Sequence, residues 1–183
     1  MRVLLHSCCA PCTTFPFFLL RAEGCSVDGV FLNPNVHPDA EREKRWEVYR
    51  QFGESERFPV RKLDVPHEEW LSSVEADLSR PGRCRRCYRT RLFPVAGLAR
   101  EEGYDCFTTS LLLSIYQDHE GVREAGREAS EAFGVPFIYR DFRVGYKRSR
   151  EIARGRHMYM QKYCGCEFSA RGSALPAQEG RLT

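Results

Sequence analysis

Five of the nine cysteines fall into two close-set groups that lie far apart in the chain, and this spacing is typical of a metal site. The first group is Cys8-Cys9-Ala10-Pro11-Cys12 and the second is Cys84-Arg85-Arg86-Cys87. Adjacent cysteines are unusual in zinc sites, whose ligands are two to four residues apart, whereas neighbouring thiolates can reach different irons of one cluster. The spacing therefore favours an iron–sulfur cluster, and a closed structural zinc site is the alternative.

A third pair of thiols, Cys164-Gly165-Cys166, indicates redox chemistry. Glycine permits a tight ring between the two cysteines, and a strained, exposed disulfide has a high reduction potential and is typically catalytic. The alternative is that both thiols are further metal ligands or simply free. We expect Cys25 and Cys106 to be packing residues.

An arginine-rich segment, 80–91, surrounds the second cysteine group and indicates a polyanionic partner. It holds six arginines and no acidic residue, with Tyr88 among them. Arginine grips phosphate through paired hydrogen bonds and stacks on unpaired bases, so RNA is the favoured partner. A second basic run, 147–157, lies near Cys164, and a solvated surface is the equal alternative for it. The residues that carry the RNA-binding prediction are Arg83, Arg85, Arg86, Arg89, Arg91, Lys147 and Arg148.

The composition fits one domain in a reducing compartment. The chain has 183 residues, enough for a single substantial core. It contains no run of about 18 apolar residues and no secretory signal pattern, so we expect a cytoplasmic protein with no membrane span. An odd cysteine count in such a chain argues for metal or redox thiols rather than a disulfide framework. The absence of a Walker loop and of a glycine-rich dinucleotide turn predicts that neither ATP nor NAD binds.

The elements that must position these residues alternate between strands and helices. The predicted strands are 3–5, 27–32, 58–63, 106–109 and 137–141. This alternation predicts an α/β fold with a mostly parallel sheet of about five strands flanked by helices. We expect one catalytic domain, 1–169, followed by a flexible tail, 170–183. Polar or thiol residues follow each strand, so the site is expected at the carboxyl edge of the sheet.

The first cysteine group lies in the first strand-to-helix turn. The helix after it is predicted from Phe15, with Thr13-Thr14 as its cap and an early proline. A helix N-terminus lowers the pKa of nearby thiols and favours thiolate, the form that binds iron or zinc.

These motifs together resemble those of the cobalamin-independent epoxyqueuosine reductases, the QueH family. The matching segments, in chain order, are 6–12, 31–38, 83–92, 107–111, 141–143, 145–149 and 163–169. Two segments depart from the family pattern. Ser114-Ile115-Tyr116-Gln117 stands where the family has a Ser-Pro-Tyr-Lys type loop, and Tyr159-Met160-Gln161-Lys162 stands where it tends toward Tyr-Arg-Gln-Asn.

The resemblance implies a Rossmann-like fold of the adenine-nucleotide-hydrolase-like (HUP) type. It implies reductive removal of the epoxide oxygen from epoxyqueuosine at the tRNA wobble position, the last step of queuosine synthesis. It also implies a redox-active pair at Cys164 and Cys166 that an external electron donor reduces. The cluster implied is [4Fe-4S], and its implied ligands are Cys8, Cys9, Cys84 and Cys87.

Cys12 is the thiol left over once four ligands are assigned, and it is expected either to hold an additional iron ion or to touch the substrate directly. Asp105 and Tyr146 are the candidate proton donors, although spacing does not select them over the other possible donors, Asp141, Tyr116, His6, His67 and His157. The rival functions are a non-catalytic, metal-stabilised RNA-binding module, which does not need the pair at 164 and 166, and a thiol oxidoreductase, which does not need the arginines.

Overall fold

A computed structural model describes residues 1–170, so the predicted flexible tail lies outside the described residues apart from residue 170. The strands are β1 (Arg2–Ser7), β2 (Ser26–Phe31), β3 (Val60–Lys62) and β4 (Cys106–Thr109). The α-helices are α1 (Ala10–Ala22), α2 (Asp39–Glu56), α3 (His67–Val74), α4 (Gly82–Glu101), α5 (His119–Phe133), α6 (Tyr146–Gly155) and α7 (Glu167–Ala170). Two 3-10 helices, Ser110–Leu113 and Phe142–Gly145, follow the carboxyl side of the sheet.

The four strands form one parallel sheet in the order β3-β2-β1-β4. The α/β class and the parallel sheet are therefore confirmed, but the predicted fifth strand at 137–141 is a single bridge between Phe107 and Phe137. Pro136 precedes this bridge and has no N–H to extend the ladder. The chain then enters the 3-10 helix that Asp141 caps, which ends the pairing.

The central strand β1 is buried on both faces, as expected for a strand inside a parallel sheet. Val3 and Leu5 pack into one apolar cluster with Phe17 of α1. Leu4, on the opposite face, packs into a second cluster with Leu92 of α4. Helices on both faces therefore fix β1, and with it the turn that follows at Cys8. Within the described residues, no helix is long and apolar enough to cross a membrane.

Helix α1 begins at Ala10, five residues before the prediction. Its N-cap is Cys9, whose sulfur accepts a hydrogen bond from the Cys12 backbone N–H at 3.4 Å. Pro11 suits the first turn because its missing N–H would have no partner there. Thr13 and Thr14, predicted as the cap, are buried inside the helix. The cap prediction is therefore wrong, and Cys12 lies in the first helical turn rather than in the loop.

Candidate metal and redox site

The first cluster of thiols, here called the N-terminal thiol group, is Cys8, Cys9 and Cys12. In the described part of the chain these three form the group of possible metal ligands whose sulfur atoms all lie within 4.8 Å of one another. The Cys8 and Cys9 sulfur atoms are 3.8 Å apart, and the Ser110 hydroxyl lies 3.4 Å from the Cys8 sulfur. The carboxyl end of β1, the start of α1 and the residue after β4 therefore build this group.

The N-terminal thiol group concentrates negative charge on one sulfur. Hydrogen bonds from the Cys12 and Cys9 thiols lower the pKa of Cys8 well below that of an ordinary thiol, and the Arg91 guanidinium also lowers it. Burial raises the pKa of Cys9, and the hydrogen bond with Cys8 raises the pKa of Cys12. In the metal-free protein these contacts therefore favour negative charge at Cys8 over Cys9 and Cys12, and binding of a metal would release the remaining thiol protons.

The second cluster, here called the cavity thiol group, is Cys84, Cys87, Cys164 and Cys166. These residues line one cavity of about 20 Å³ together with Trp70, Arg83, Tyr88, Arg91 and Gln117. Helix α4 supplies Cys84 and Cys87 one turn apart, and the segment before α7 brings Cys164 and Cys166 against them. The structure thus brings the two distant cysteine motifs together.

The Cys164 loop is held by polar contacts from α2 and from the loop after β2. Arg45 is buried and donates to the Cys164 carbonyl at 3.0 Å, while its Nε donates to Glu41 at 2.8 Å. The His37 N–H donates to the Gly165 carbonyl at 3.0 Å. Gly165 has φ +126°, and a Cβ there would lie 2.8 Å from the Val36 side chain, so the turn requires glycine.

Within the cavity thiol group, the pKa values of Cys164 and Cys166 are shifted in opposite directions. The hydrogen bond from the Cys166 thiol, with help from Arg91 and Gln117, lowers the pKa of Cys164 to about 5 against the effect of burial. The same hydrogen bond raises the pKa of Cys166. Burial raises the pKa of Cys87 to about 11, and Arg91 opposes that shift. Such an asymmetric pair is suited to thiol–disulfide exchange.

Arg91 lies beside both thiol groups rather than on the RNA-facing surface predicted for it. It is 2% exposed, and its Nη2 donates to the Asn33 amide oxygen. Asn33 in turn donates to the Ser7 carbonyl at 2.8 Å, which ties the arginine to the end of β1. Its charge lowers the pKa of Cys8 and of Cys164. Arg91 therefore does not fit the predicted row of phosphate-binding arginines.

Two glutamines complete the site, and sequence reasoning assigned neither a role. Gln161 donates to the Cys9 sulfur at 2.9 Å, and Gln117 donates to the Cys164 sulfur at 3.7 Å while accepting from the Tyr88 hydroxyl at 2.8 Å. Both amides lie in the segments where the chain departs from the family pattern. Hydrogen bonds to sulfur tune the potential of thiolate and iron–sulfur sites, so each glutamine serves one thiol group.

The two predicted proton donors lie in different places. Asp105 immediately precedes β4, and its carboxylate accepts a hydrogen bond from the Arg2 backbone N–H at 2.6 Å, at the amino edge of the sheet. The thiols follow the opposite edge, about 16 Å away along β1. Asp105 is therefore a structural residue, which corrects its assignment. Tyr146 begins α6 near Cys12, and burial raises its pKa, with smaller contributions from Tyr116 and Cys12.

The remaining predicted RNA-binding residues are at or near the surface. Arg85, Arg86 and Arg89 are exposed on α4, and Lys147 and Arg148 are exposed on α6. Some are already paired, since Arg85 lies 3.6 Å from Asp118 and Arg89 pairs with Glu128. Arg83 is partly buried, with its guanidinium 4.9 Å from the Phe168 ring centre. The RNA-binding role of these residues stays a prediction.

Comparison with known proteins decides the family. The model of the family described as epoxyqueuosine reductase QueH matches residues 3–172. The chain belongs to this family. It is 35% identical over 169 residues to epoxyqueuosine reductase QueH of Dehalococcoides mccartyi, with 92% of each protein covered. It is 33% identical over 175 residues to that of Thermotoga maritima, with 91% and 89% covered. Membership confirms the predicted oxidoreductase class and the reduction of epoxyqueuosine to queuosine in tRNA.

Two solved structures share the fold. U34-tRNA thiolase NcsA from Methanococcus maripaludis, solved with its [4Fe-4S] cluster, superposes with a TM-score of 0.61 at 12% identity, covering 92% of this chain and 61% of that one. A predicted tRNA methyltransferase subunit from Methanocaldococcus jannaschii superposes with a TM-score of 0.59 at 12% identity, covering 84% and 74%. These likenesses confirm the Rossmann-like α/β architecture.

Proposed function

We propose that the chain removes the epoxide oxygen of epoxyqueuosine in the tRNA anticodon at the carboxyl edge of its sheet, by means of both thiol groups. The observation that carries this proposal is that Arg91 lines the cavity with Cys84, Cys87, Cys164 and Cys166 and is joined through Asn33 to the Ser7 carbonyl, one residue before Cys8. The carboxyl end of β1 and the cavity thiol group are therefore linked through one buried arginine.

We assign a [4Fe-4S] cluster to Cys8, Cys9, Cys84 and Cys87. Soft thiolate donors fit iron–sulfur chemistry, and Cys8 carries negative charge before metal binds. Buried polar atoms beside the thiols also lack a partner among the described residues; they are Arg91 Nε, both amide atoms of Asn35 and Gln161 Oε1. Of these atoms, Arg91 Nε and Asn35 Nδ2 are hydrogen-bond donors, and buried donors without a partner fit a site that receives an anionic group. Held by these four cysteines, the cluster would supply single electrons and Lewis-acid chemistry at iron.

Cys12 is assigned to the substrate side of the site. It is partly exposed and lies in the first turn of α1, next to Cys8 and Cys9 and near Tyr146. From this position its sulfur holds an additional iron ion or contacts the nucleoside directly. Tyr146 stays protonated at neutral pH because burial raises its pKa, so it keeps a proton available for the departing oxygen.

Oxidation of Cys164 and Cys166 supplies the electrons that removal of the epoxide oxygen consumes. Conversion of an epoxide to an alkene consumes two electrons and two protons and releases water. Oxidation of the Cys164 thiolate and the Cys166 thiol to a disulfide forms one S–S bond and releases two electrons and one proton. One oxidation of the pair therefore supplies the electrons of one turnover, and the second proton comes from Tyr146, which solvent reprotonates. An external electron donor must then reduce the disulfide again.

The exposed arginines of α4 and the basic residues of α6 are assigned to the tRNA. Both helices begin at the thiol edge, since Cys84 and Cys87 lie in the first turns of α4 and Tyr146 begins α6. Phosphates bound along these helices would hold the wobble nucleoside over the site.

The test is anaerobic incubation of the reconstituted protein with tRNA that bears epoxyqueuosine and with dithionite as reductant. We expect queuosine in the digested tRNA, together with iron and sulfide in the purified protein. A protein that binds only zinc and leaves epoxyqueuosine intact would contradict the proposal.

A further inference from the structure

Two arginines are buried in the part of the chain that the structure describes, and they differ in what balances their charge. Arg45 and Arg91 are each 2% exposed. Arg45 pairs with the Glu41 carboxylate at 2.8 Å, whereas Arg91 pairs with no carboxylate among the described residues. Its Nη2 donates to the neutral Asn33 amide, and its Nε has no partner in the described part of the chain. Arg91 is thus a buried cation whose counter-charge must come from something other than a carboxylate.

Such an arrangement is costly unless an anion is nearby. A guanidinium cannot lose its proton inside a protein, and a buried charge without a partner is strongly destabilising. Helix α4 determines which groups can act as the counter-charge of Arg91. Cys84, Cys87 and Arg91 are spaced so that they lie on one face of this helix. All three line the cavity together with Cys164 and Cys166. Sulfur is therefore the anion source that surrounds this guanidinium.

We propose that Arg91 is a positioning residue that supplies the fixed positive charge for the cavity thiol group, so that it stabilises the reduced, more negative state of that group. This inference rests on the proposed function for the redox role of Cys164 and Cys166. Asn33 sets the position of the charge by joining the guanidinium to the end of β1.

The direction of the effect follows from charge balance. Reduction of the Cys164–Cys166 disulfide breaks the S–S bond, takes up two electrons, and leaves a thiolate at Cys164 and a thiol at Cys166 with one proton bound. The reduced pair is one charge more negative than the disulfide. A fixed cation beside it favours the reduced form, so removal of that cation must favour the disulfide and lower the reduction potential.

The first experiment uses metal-free protein equilibrated with glutathione buffers of known ratio, with the Cys164–Cys166 linkage quantified by peptide mass spectrometry. Arg91→Gln should shift the equilibrium toward disulfide by at least tenfold, which is about 30 mV for a two-electron couple. Arg91→Lys keeps the positive charge, so its thiol–disulfide equilibrium constant should stay within threefold of that of the parent protein. Arg100→Gln, an exposed arginine on the same helix, should change nothing.

A second variant neutralises the charge without removing the guanidinium. Asn33→Asp is nearly isosteric and places a carboxylate on Arg91, so it should shift the equilibrium in the same direction as Arg91→Gln, by at least threefold. This variant tests the proposal even where Arg91→Gln fails to fold. If Arg91 had only a structural role, the Asn33→Asp variant would have the same Cys164–Cys166 disulfide equilibrium as the parent protein. That result would overturn the proposal. Equal shifts for Arg91→Lys and Arg91→Gln would also overturn it.

The iron-loaded protein separates this inference from the proposed function. Arg91→Gln should retain iron and visible absorption but show a lower midpoint potential in an anaerobic redox titration, and Arg91→Lys should restore it. If the parent protein binds no iron–sulfur cluster, the proposed function fails while the glutathione experiment still tests Arg91. If the cluster is present and neither potential moves in Arg91→Gln, the proposed function stands and the role of Arg91 is wrong.

Discussion

The two thiol groups are built in opposite ways. The N-terminal thiol group comes from five consecutive positions, and its geometry follows from one strand end and the first turn of α1. The cavity thiol group joins α4 to a segment more than 70 residues later, and long-range contacts from Arg45 and His37 hold that segment. The thiols fixed by β1, α1 and α4 are suited to hold a metal rigidly. Cys164 and Cys166, which lie on the segment held by Arg45 and His37, are suited to change their bonding during each cycle.

The electrostatics show the same division. In the N-terminal thiol group, Cys8 shares one negative charge with two neighbouring thiols, which suits stepwise proton release to a metal. In the cavity thiol group, Cys164 is a thiolate next to a protonated Cys166, which suits attack on a disulfide. The comparison therefore predicts that substitutions in the two groups fail in different ways.

The largest expected effect is on catalysis at the N-terminal thiol group. Cys12→Ala should lower kcat for epoxyqueuosine tRNA by about 100-fold or more, because it removes the thiol at the substrate side. The visible absorption of the reconstituted cluster should remain, since four other cysteines hold it. Absorption spectra and single-turnover assays measure both quantities. Loss of the cluster's visible absorption would instead show that Cys12 is one of the cluster ligands.

The second-largest expected effect concerns Arg45, which holds the segment before α7 through its hydrogen bond to the Cys164 carbonyl. Arg45→Met should lower the free energy of unfolding by about 3 kcal/mol, because it leaves the mostly buried Glu41 carboxylate without its charged partner and with only the Tyr159 hydroxyl as a donor. It should also release the Cys164 carbonyl, so that proteolysis near Cys164 becomes faster. Urea denaturation measures the stability.

The matched control for this variant is Arg50→Met on the same helix. Arg50 pairs with Glu47 and Glu54, but its side chain is 40% exposed. Its loss should cost less than about 1 kcal/mol. Equal costs for the two variants would show that Arg45 is not the tether of the loop.

A smaller effect concerns the pH dependence of thiol reactivity. The pKa of Cys164 lies at about 5, below that of an ordinary thiol, so the reactive thiolate is present at pH 6 and is lost only as the pH falls through 5. Iodoacetamide should therefore alkylate Cys164 in metal-free, reduced protein at nearly constant rate from pH 6 to 8. Cys166 should stay unmodified, because it is buried and its pKa is raised.

Peptide mass spectrometry at several time points measures these rates site by site. An ordinary thiol with a pKa of about 8.5 would react about tenfold faster for each pH unit over this range. Such a slope at Cys164 would contradict the asymmetric pair.

The smallest expected effect concerns the tRNA. Arg85→Gln with Arg86→Gln should reduce the slope of log affinity against log salt by about 0.9 for each phosphate that the variant no longer neutralises. Filter binding at several salt concentrations measures the slope. The control, Arg123→Gln with Arg127→Gln on the exposed face of α5, should leave it unchanged. Equal slopes for the parent protein and the Arg85→Gln/Arg86→Gln variant would show that these arginines do not contact the tRNA phosphates.

The sequence predicted those parts of the molecule that depend on local pattern. Strand β4 has the predicted bounds, and the residues after β1 and β4, Cys8 and Ser110, meet at the carboxyl edge. Asp105 was misplaced although the signal was present, because it precedes a strand whereas the site residues follow strands. The same rule that located the thiols would have excluded it.

The features that sequence could not supply depend on tertiary packing. Arg91 belongs to a run of exposed arginines by composition, but its helix position, one residue before Leu92 and four after Cys87, puts it on the buried face of α4. Gln117 and Gln161 occur in loops, where no periodicity indicates direction. Phe137 has strand-like neighbours, yet Pro136 limits its pairing to one bridge.

The central claim is a division of roles: Cys8, Cys9, Cys84 and Cys87 hold the metal, and Cys164 and Cys166 carry electrons. Its most direct test is the iron and sulfide content of the Cys164→Ser/Cys166→Ser double variant after anaerobic reconstitution. We predict iron and sulfide equal to those of the parent, with turnover supported by dithionite but not by a dithiol reductant. A fall in iron to the level of a Cys8→Ser/Cys9→Ser variant would contradict this division, because the cavity pair would then be part of the metal site.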